Sequence, residues 1–515
     1  MDLGYTGPRF TWFKGGSGVK ERLDRGLCNL AWHHKFPQTH VSHLIKMRSD
    51  HRPILICNKT IPTKSKLVRR FQFLAPWLSH DEFLPFLSSS WIRGQALPCA
   101  LQDLSSKLQV WNKEVFGNIF QKKKRLANKL HSLETLNERN PSTSSLEEEK
   151  KVREDLEDVL WQEEILWLQK SRANWTIHGD QNSRFFHSST LSRRKRNKII
   201  SLRNEAGEWI TDPDLLQDMA REHYVKLFTK CKLCNRSGHH SITATFPPIT
   251  SSRWEQMERS PTFEEIHGII KEMNGLKAPG KDGFHALFFQ RCWKLVGQDF
   301  FKSIQECFRN PESIRTHNET LLALIPKVDS PSSMSQFRPI SLCNVGYKVV
   351  AKCIANKLKC LMPHLVKPNQ SSFVPNRHIT DNILILQETV HSMARKKGKK
   401  GMMLLKLDLA KVYDRLDWDF FEEPITLAGL PQSIIRVIMK CVTTVEMQVL
   451  WEGGETQSFK PSRGLRQGCP LSPYLFTLCV ERLGHCISEE VSLNRWNPVK
   501  LSAGGPPLIP LVLCR

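Results

Sequence analysis

An apolar run near residue 400 ends in one carboxylate, and an aromatic ring follows it. The run covers residues 402–409, with Asp408 close to its end and Tyr413 five residues further on. At the end of a buried strand, Asp408 would be a rigid oxygen ligand for the Mg²⁺ of phosphoryl transfer, and the Tyr413 ring could lie near a nucleotide sugar. The common alternatives are a turn aspartate and a core aromatic. The pattern predicts a strand over 402–409 that delivers a metal-binding carboxylate.

Lysine and arginine are concentrated in three short segments, at residues 122–125, 193–198 and 395–400. Any one of them is commonly a solvated helix face or loop. Three on one basic chain favour contacts with phosphate groups. The second segment supplies four candidate nucleic-acid-binding residues: Arg193, Arg194, Lys195 and Arg196. Residues 166–200, which include this segment, interleave aromatic and basic side chains, which suits stacking and phosphate contacts on RNA but also an amphipathic helix that packs on the region after residue 260.

The pair Cys231 and Cys234, with His239 and His240 after it, resembles part of a zinc knuckle. No later cysteine arrives at knuckle spacing, and a single pair of this kind is common. Metal binding at this segment is therefore not expected.

The overall charge also indicates a polyanionic partner. The chain has 515 residues, and 75 basic against 51 acidic side chains give a net charge of +24. No apolar run reaches the roughly 18 residues of a membrane span, and the first residues do not resemble a signal peptide. The 15 scattered cysteines are typical of reduced thiols. We expect a nucleic-acid-binding protein of the nucleus or cytoplasm that is neither secreted nor bound to a membrane.

Three regions must position these residues. Residues 1–58 predict short strands and loops, whereas Leu and Trp recur at helical spacing from about 100 to 175. The break at residues 140–145 predicts a helical hairpin whose second helix has Ser145 as its N-cap. From about residue 260, helical and strand-like segments alternate.

Five ordered blocks between residues 260 and 510 carry a family resemblance. KLDLAKVYDRLDW (406–418) resembles motif A of reverse transcriptases, and GLRQGCPLSPYLF (464–476) resembles motif B. Residues 324–359 and 369–382 resemble the fingers of non-LTR, LINE-type enzymes in the form common in plants, and KAPGKDGF (277–284) resembles the start of the domain. The resemblance implies a right-hand polymerase that copies RNA into DNA from a nicked-DNA primer.

The resemblance assigns roles to individual residues. Asp408 would be the first metal-binding aspartate, and Tyr413 would lie beneath the sugar of the incoming nucleotide. Lys327 and Arg338 would meet its triphosphate from the fingers, where a planar guanidinium suits phosphate oxygens. The implied cofactor is Mg²⁺, and the implied partners are an RNA template, a DNA primer or target, and dNTPs.

Further positions follow from motif B and from the start of the domain. Gln467 and Gly468 would form the loop against the nucleotide and the template. Lys281 and Asp282 are weaker candidates, for which a charged turn is an equal alternative. Val412 departs from the alanine that is usual in the family, and its two extra methyl carbons could crowd the nucleotide pocket.

A second carboxylate pair is not found where the family carries it. In such enzymes an Asp-Asp pair follows a GGPP segment, but residues 504–507 are followed by LIPLVLCR, and no aspartate occurs after Asp419. One carboxylate cannot hold two divalent cations against a triphosphate. We expect a chain of these 515 residues not to polymerise.

The first 58 residues resemble the end of the endonuclease that precedes the polymerase in LINE-type elements. By this resemblance His51 would face the scissile phosphate, Asp24 would orient its imidazole, and Asp50 would be the partner acid. The metal-binding acids of that nuclease lie upstream in the family and have no counterpart here, so nuclease activity is not expected.

Together these observations predict an α+β chain that resembles a LINE-type polyprotein truncated at both ends. Residues 1–58 would be the C-terminal tail of an endonuclease/exonuclease/phosphatase-type α/β sandwich, and 59–255 a mostly helical basic linker. Residues 256–515 would be a partial right-hand polymerase, with fingers and an incomplete palm but without motif C or thumb. The predicted function is that of a reverse transcriptase domain fragment of a LINE-type retrotransposon, which we expect to be inactive by itself. The alternative is a non-catalytic RNA- or DNA-binding remnant.

Overall fold

The computed structural model describes residues 1–14, 19–36, 39–44, 49–58, 70–140, 142–171, 183–230, 243–397 and 401–500. The helices of these residues are α1 (Leu30–Lys35), α2 (Phe83–Ser90), α3 (Leu97–Trp111), α4 (Ile119–Arg139), α5 (Thr143–Ser171), α6 (Ser183–Asn197), α7 (Pro213–Phe228), α8 (Ser251–Glu258), α9 (Phe263–Glu272), α10 (Ala286–Arg309), α11 (Val345–Leu365), α12 (Ile379–Arg395), α13 (Val412–Arg415), α14 (Trp418–Leu427), α15 (Gln432–Thr443) and α16 (Ser472–Ser492). The strands are β1 (Trp12–Phe13), β2 (Lys20–Glu21), β3 (His40–His43), β4 (Ile54–Cys57), β5 (Leu202–Arg203), β6 (Trp209–Ile210), β7 (Glu319–Pro326), β8 (Phe337–Cys343), β9 (Glu446–Trp451) and β10 (Gly454–Glu455).

Helices α10 and α11 lie at the centre of the larger core. Apolar residues recur in α10 every three or four positions, among them Phe289, Trp293 and Phe300, so one stripe of the helix is buried. The same cluster of buried side chains extends from Phe73 to Cys479. The elements that resemble a polymerase therefore share their core with helices from the preceding region.

A four-stranded sheet, in the order β10-β9-β7-β8, carries the second core. Strand β7 pairs antiparallel with β8 and parallel with β9. Helix α7 covers one face of this sheet, since Tyr224 and Leu227 belong to the same buried cluster as Leu322 and Val449. Residues from the predicted linker thus help to bury the sheet.

The helical hairpin predicted before residue 175 is present as α4 and α5. The ion pairs Lys123–Glu163 (2.6 Å) and Lys129–Glu148 (2.6 Å) join the two helices on their exposed sides. The predicted N-cap is wrong by a few positions: α5 begins at Thr143, and the Oγ of Ser142 accepts the N–H of Ser145 over 3.2 Å. Several serines within the break could supply the capping side-chain oxygen, and their spacing alone does not choose between them.

The strand predicted over 402–409 does not form. These residues have no ladder partner in the described part of the chain, and their apolar side chains are exposed, Met403 by 84% and Leu407 by 65%. Without a neighbouring strand, the backbone groups of an extended segment bond to water and not to a ladder, and apolar content cannot replace that neighbour. Asp408 therefore lies at the end of an exposed irregular segment, not of a buried strand.

Within the described residues, no helix combines the length and the apolar composition that a membrane crossing requires. The segment with Cys231, Cys234, His239 and His240 lies outside the described residues, as do residues 504–507.

Candidate nucleotide site

Tyr413 lies where motif A meets motif B. It belongs to the short helix α13, and its ring stacks on Phe476 of α16 with centroids 4.4 Å apart and planes inclined by 26°. Its carbonyl accepts the N–H of Leu465 over 2.6 Å, and the carbonyl of Leu416 accepts the N–H of Gly464 over 2.7 Å. The backbone of motif A therefore holds the loop that follows Arg463 in a fixed register.

A side-chain hydrogen bond makes a second connection between the two motifs. Nε2 of Gln467 donates to Oδ1 of Asp414 over 2.9 Å. Asp414 is only 2% exposed, and burial raises the pKa of its carboxyl, while the bond from Gln467 acts in the opposite direction. The amide of Gln467 is thus already engaged within the chain, facing motif A.

The loop after Gln467 passes close to strand β8. The carbonyl of Gln467 accepts the N–H of Ser341 over 2.8 Å. Gly468 has a φ of +106°, and a Cβ built at this position would lie 3.2 Å from the carbonyl oxygen of Ser341. Both the backbone conformation and the close approach require glycine.

Arg466 was not predicted, and it is the buried cation of this site. Its guanidinium donates to Oδ1 of Asn318 and the carbonyl of Cys441, both over 2.6 Å, and to Oγ1 of Thr320 over 3.0 Å. It also lies 3.8 Å above the ring of Tyr347. Neutral hydrogen-bond acceptors and the face of the Tyr347 ring therefore stabilise the buried guanidinium charge. The one signal in the sequence is the position of this arginine within the motif B block, directly before Gln467.

Lys327 and Arg338 lie at the exposed end of the β7–β8 hairpin, and their assignment to the fingers stays a prediction. The N–H of Lys327 donates to the carbonyl of Gln336 over 2.8 Å, and its ammonium donates to the carbonyl of Ser335 over 3.1 Å. Arg338 pairs in register with Ile325, and its side chain is exposed. Both cations are accessible to an anionic ligand.

The described residues do not provide a metal site. Asp408 is exposed, and no group of three or more His, Cys, Asp or Glu side chains in the described ranges is placed to hold an ion. A two-cation site needs several oxygen ligands around each ion. The donor set present therefore does not fit a pair of Mg²⁺ ions, and Asp408 as a metal ligand stays a prediction.

The weaker candidates Lys281 and Asp282 form a tight turn against the start of α11. Asp282 accepts the N–H of Phe284 over 3.0 Å, and burial raises the pKa of its carboxyl to about 6. A Cβ on Gly280 would lie 2.4 Å from the backbone nitrogen of Asn344. Lys281 pairs with Glu319 over 2.5 Å. These contacts support the alternative of a structural turn.

The four basic residues of α6 do not share one surface. Arg193 donates to the carbonyls of Ser171 (2.5 Å) and Lys170, at the end of α5. Arg194 and Arg196 are exposed, while Lys195 is half-buried. Arg193 therefore satisfies the last carbonyls of a helix, a role that residue type and spacing do not distinguish from phosphate binding.

Near the N-terminus, Asp24 and His51 lie in contact. Nδ1 of His51 is 2.8 Å from Oδ2 of Asp24, and this hydrogen bond is the main cause of the lowered pKa of Asp24. Oγ1 of buried Thr11 accepts the N–H of Asp24 over 2.9 Å and so fixes the backbone beside the pair. Asp50 accepts from the indole N–H of Trp12 over 3.1 Å. The structure brings together two of the three residues assigned by resemblance to the nuclease.

Comparison with known proteins identifies the region that holds the site. Residues 325–497 match the family described as "Reverse transcriptase (RNA-dependent DNA polymerase)". This range includes Lys327, Arg338 and both motifs. The chain therefore carries a reverse transcriptase domain.

The relatives identify the kind of reverse transcriptase. The chain is 30% identical over 312 residues to the "Transposon TX1 uncharacterized 149 kDa protein" of Xenopus laevis, which covers 61% of this chain and 24% of that protein. It is 25% identical over 268 residues to the "Retrovirus-related Pol polyprotein from type-2 retrotransposable element R2DM" of Drosophila melanogaster, covering 50% and 24%. A third relative is an uncharacterized mitochondrial protein of Arabidopsis thaliana, 48% identical over 46 residues, covering 9% and 38%. The domain is homologous to those of non-LTR retrotransposons, and the chain spans about a quarter of the first two relatives.

Proposed function

We propose that this domain binds an RNA template with a DNA primer and an incoming dNTP, as the fingers and palm of a LINE-type reverse transcriptase. The observation that carries the proposal is the contact of motif A with motif B beside the fingers. Tyr413 and Gln467 are linked through Leu465 and Asp414, and the backbone of Gln467 is bonded to β8. Nucleotide, template loop and phosphate-binding cations would then meet on one side of the domain.

Chemistry at this site would use a divalent metal, as reverse transcriptase domains generally do, and we propose Mg²⁺. Asp408 would contribute one carboxylate. Since one carboxylate does not hold two cations, residues 1–515 alone would bind the nucleotide without extending the primer. Polymerisation would need further carboxylates beside Asp408.

A second function is binding of RNA or DNA without catalysis. The observation that favours it is the charge of +24, together with exposed cations such as Arg194 and Arg196 outside the nucleotide site. Counterion release would then provide most of the affinity. This function predicts binding that does not respond to a nucleotide.

The remaining proposals concern the whole protein. The contact between Asp24 and His51 supports the assignment of residues 1–58 to the tail of an endonuclease. The reduced cysteines favour a nuclear or cytoplasmic location, and the Arabidopsis relative is consistent with a plant element. The region between, residues 59–255, would be the basic linker, although its helices α3 and α7 pack on the polymerase elements.

Nucleotide-dependent stabilisation of a template–primer complex tests the proposed function. The chain is bound, with Mg²⁺ present, to an RNA template carrying a dideoxy-terminated DNA primer, and dissociation is followed after addition of competitor. The complementary dNTP should slow dissociation, a non-complementary dNTP should not, and Lys327→Gln with Arg338→Gln should abolish the difference. Dissociation that is insensitive to every dNTP would reject the polymerase assignment and leave the non-catalytic function.

A further inference from the structure

Helix α7 ends against the segment that leads into motif B, although the helix lies outside the matched range 325–497. The carbonyl of Phe228 accepts the N–H groups of Ser462 (2.9 Å) and Arg463 (3.2 Å). Nε of Arg463 donates to the carbonyl of Leu227 over 2.9 Å. The last carbonyls of the helix are therefore satisfied by the chain just before the Gln467 loop.

The segment that follows α13 is also bound to the end of α7. Lys230, two residues beyond α7, pairs with Asp417 over 2.8 Å and with Asp419 over 2.6 Å. Asp417 follows Tyr413 by four residues. Contacts with motif A and with motif B thus both originate from the end of α7, so this helix is placed to fix side chains of the site.

His223 of α7 reaches the lysine of motif A. Its Nε2 is 3.3 Å from Nζ of Lys411. Because an ammonium only donates, the imidazole must accept in its neutral form, with the proton on Nδ1. Burial first, and then Lys411, Lys226 and Lys327, lower the pKa of His223 to about 4, with Glu205 acting the other way. The ring is therefore neutral at pH 7.

Lys411 is held in an unusual position. Its backbone is left-handed, with φ 53° and ψ 38°, a conformation that costs a residue with a Cβ some energy. Burial lowers the pKa of its ammonium, and repulsion from Lys327 adds to this effect. The carboxylate that acts on Lys411 is that of Asp414, and its Oδ1 already accepts a hydrogen bond from Gln467. Lys411 and Lys327 carry charges that repel each other, and this arrangement favours an anion from outside.

We propose that His223 is a positioning residue for nucleotide binding, which accepts a hydrogen bond from Lys411 and so holds that ammonium beside Lys327, where both cations bind the phosphates of the incoming nucleotide. This inference rests on the proposed function. It makes α7 part of the nucleotide site, and it assigns to His223 an action through Lys411 and not on the nucleotide itself. The ligand chemistry is a linear triphosphate.

Titration with inorganic tripolyphosphate in metal-free buffer at pH 7 tests the proposal on the full chain. Lys327→Gln and Lys411→Gln should each weaken binding roughly tenfold, because each removes a charge-assisted contact. His223→Ala should weaken it about threefold, since the ammonium stays but is no longer held. His223→Gln, whose amide oxygen can accept from Lys411, should restore most of the loss. Lys226→Gln is the matched control: it removes a charge from the same helix, but that lysine pairs with Glu205 over 3.1 Å.

The outcomes separate the inference from the proposed function. If both lysine variants bind weakly while His223→Ala binds as well as the unchanged chain, the positioning role is wrong and the nucleotide site stands. If His223→Gln is as weak as His223→Ala, the histidine acts through packing and the proposal also fails. If the two lysine variants bind like the Lys226→Gln control, these lysines form no triphosphate site and the inference is rejected, whereas the proposed function is decided by the dNTP dependence of template–primer dissociation. Thermal unfolding of each variant shows whether weaker binding comes from misfolding. If His223→Ala is misfolded, the binding of His223→Gln compared with the unchanged chain decides on the positioning role.

Discussion

Gln467 and Asp414, 53 residues apart in the chain, are joined by a hydrogen bond of 2.9 Å between an amide and a buried carboxylate. The bond couples the position of the motif B loop to that of α13. A displacement of either segment would leave a carboxylate unsatisfied in a buried place, and this penalty is larger than the net gain from an ordinary hydrogen bond.

Gln467→Ala should therefore destabilise the chain by about 1–3 kcal/mol, because the carboxylate of Asp414 loses its donor. The free energy of unfolding is measured by urea denaturation at pH 7. Gln457→Ala serves as control, since the side chain of Gln457 is exposed. Equal midpoints for the two variants would show that the bond contributes nothing to stability.

Stability should fall as the pH rises from about 4.5 to 7, owing to Glu481. Burial raises the pKa of this carboxyl to about 7, although the backbone N–H and charge of Lys367 and the charge of Arg377 act to lower it. The folded state thus binds the proton of Glu481 more tightly than the unfolded state. The resulting contribution to the free energy of unfolding, up to about 3 kcal/mol, is lost as the pH rises through the folded pKa.

A neighbour of Glu481 titrates with the opposite sign. His485 lies 3.8 Å from Glu481, and burial, Lys367 and Arg482 lower its pKa to about 4, so it favours the folded state increasingly from pH 4 to 6.5. The effect of Glu481 is therefore isolated by comparing Glu481→Gln with the unchanged chain. The free energy of unfolding of each is measured by urea denaturation at pH 5 and pH 8. The variant should lose less stability between the two pH values. The same loss in both chains would exclude Glu481 as the cause.

Purified residues 1–515 should show no primer extension on an RNA template with Mg²⁺ or Mn²⁺. No aspartate occurs after Asp419, and a single exposed carboxylate at Asp408 does not support two-metal chemistry. Incorporation is followed with a labelled primer on denaturing gels. Template-dependent extension that disappears in Asp408→Ala would overturn this expectation.

RNA binding should be salt-sensitive and weakly selective for sequence. Replacing the exposed Arg194 and Arg196 together by alanine should lower the slope of log K against log salt by roughly 1–2, because each phosphate contact releases about one counterion. Arg193→Ala should lower stability instead, since this side chain holds the end of α5. Fluorescence anisotropy over a salt series gives the slope. An unchanged slope in the double variant would remove α6 from the RNA interface.

Amide hydrogen exchange should be fast throughout residues 402–409 and slow in α11. The first segment is exposed and without a ladder partner among the described residues, whereas most of α11 is buried. Exchange is measured by mass spectrometry on the refolded chain. Protection of 402–409 equal to that of α11 would show that this segment pairs in solution.

Local sequence was sufficient for the helical hairpin of α4 and α5, whereas the roles of Lys327 and Arg338 came from resemblance and stay predictions. The strand at 402–409 was predicted wrongly, because a strand depends on residues distant in sequence that bond to its edges. Arg193 and Arg466 escaped correct assignment for a related reason: an arginine may be a ligand for helix carbonyls, for a buried polar group or for phosphate, and only the fold decides among these. The contact between His223 and Lys411 joins two segments 188 positions apart, and no pattern in either one indicates the other.

The pairing of β7 has a consequence for synthesis on the ribosome. Its parallel partner β9 meets it in a register that joins Glu319 to Glu446, so the partner is translated about 127 residues later. At roughly 5–20 residues per second, β7 waits about 6–25 s before this partner is made, with one edge open. During that interval an unpaired apolar edge is a substrate for chaperones or for pairing with another nascent chain on the same polysome. Slow codons between the two strands would lengthen the exposure, and the yield of folded chain should depend on the rate at which this stretch is translated.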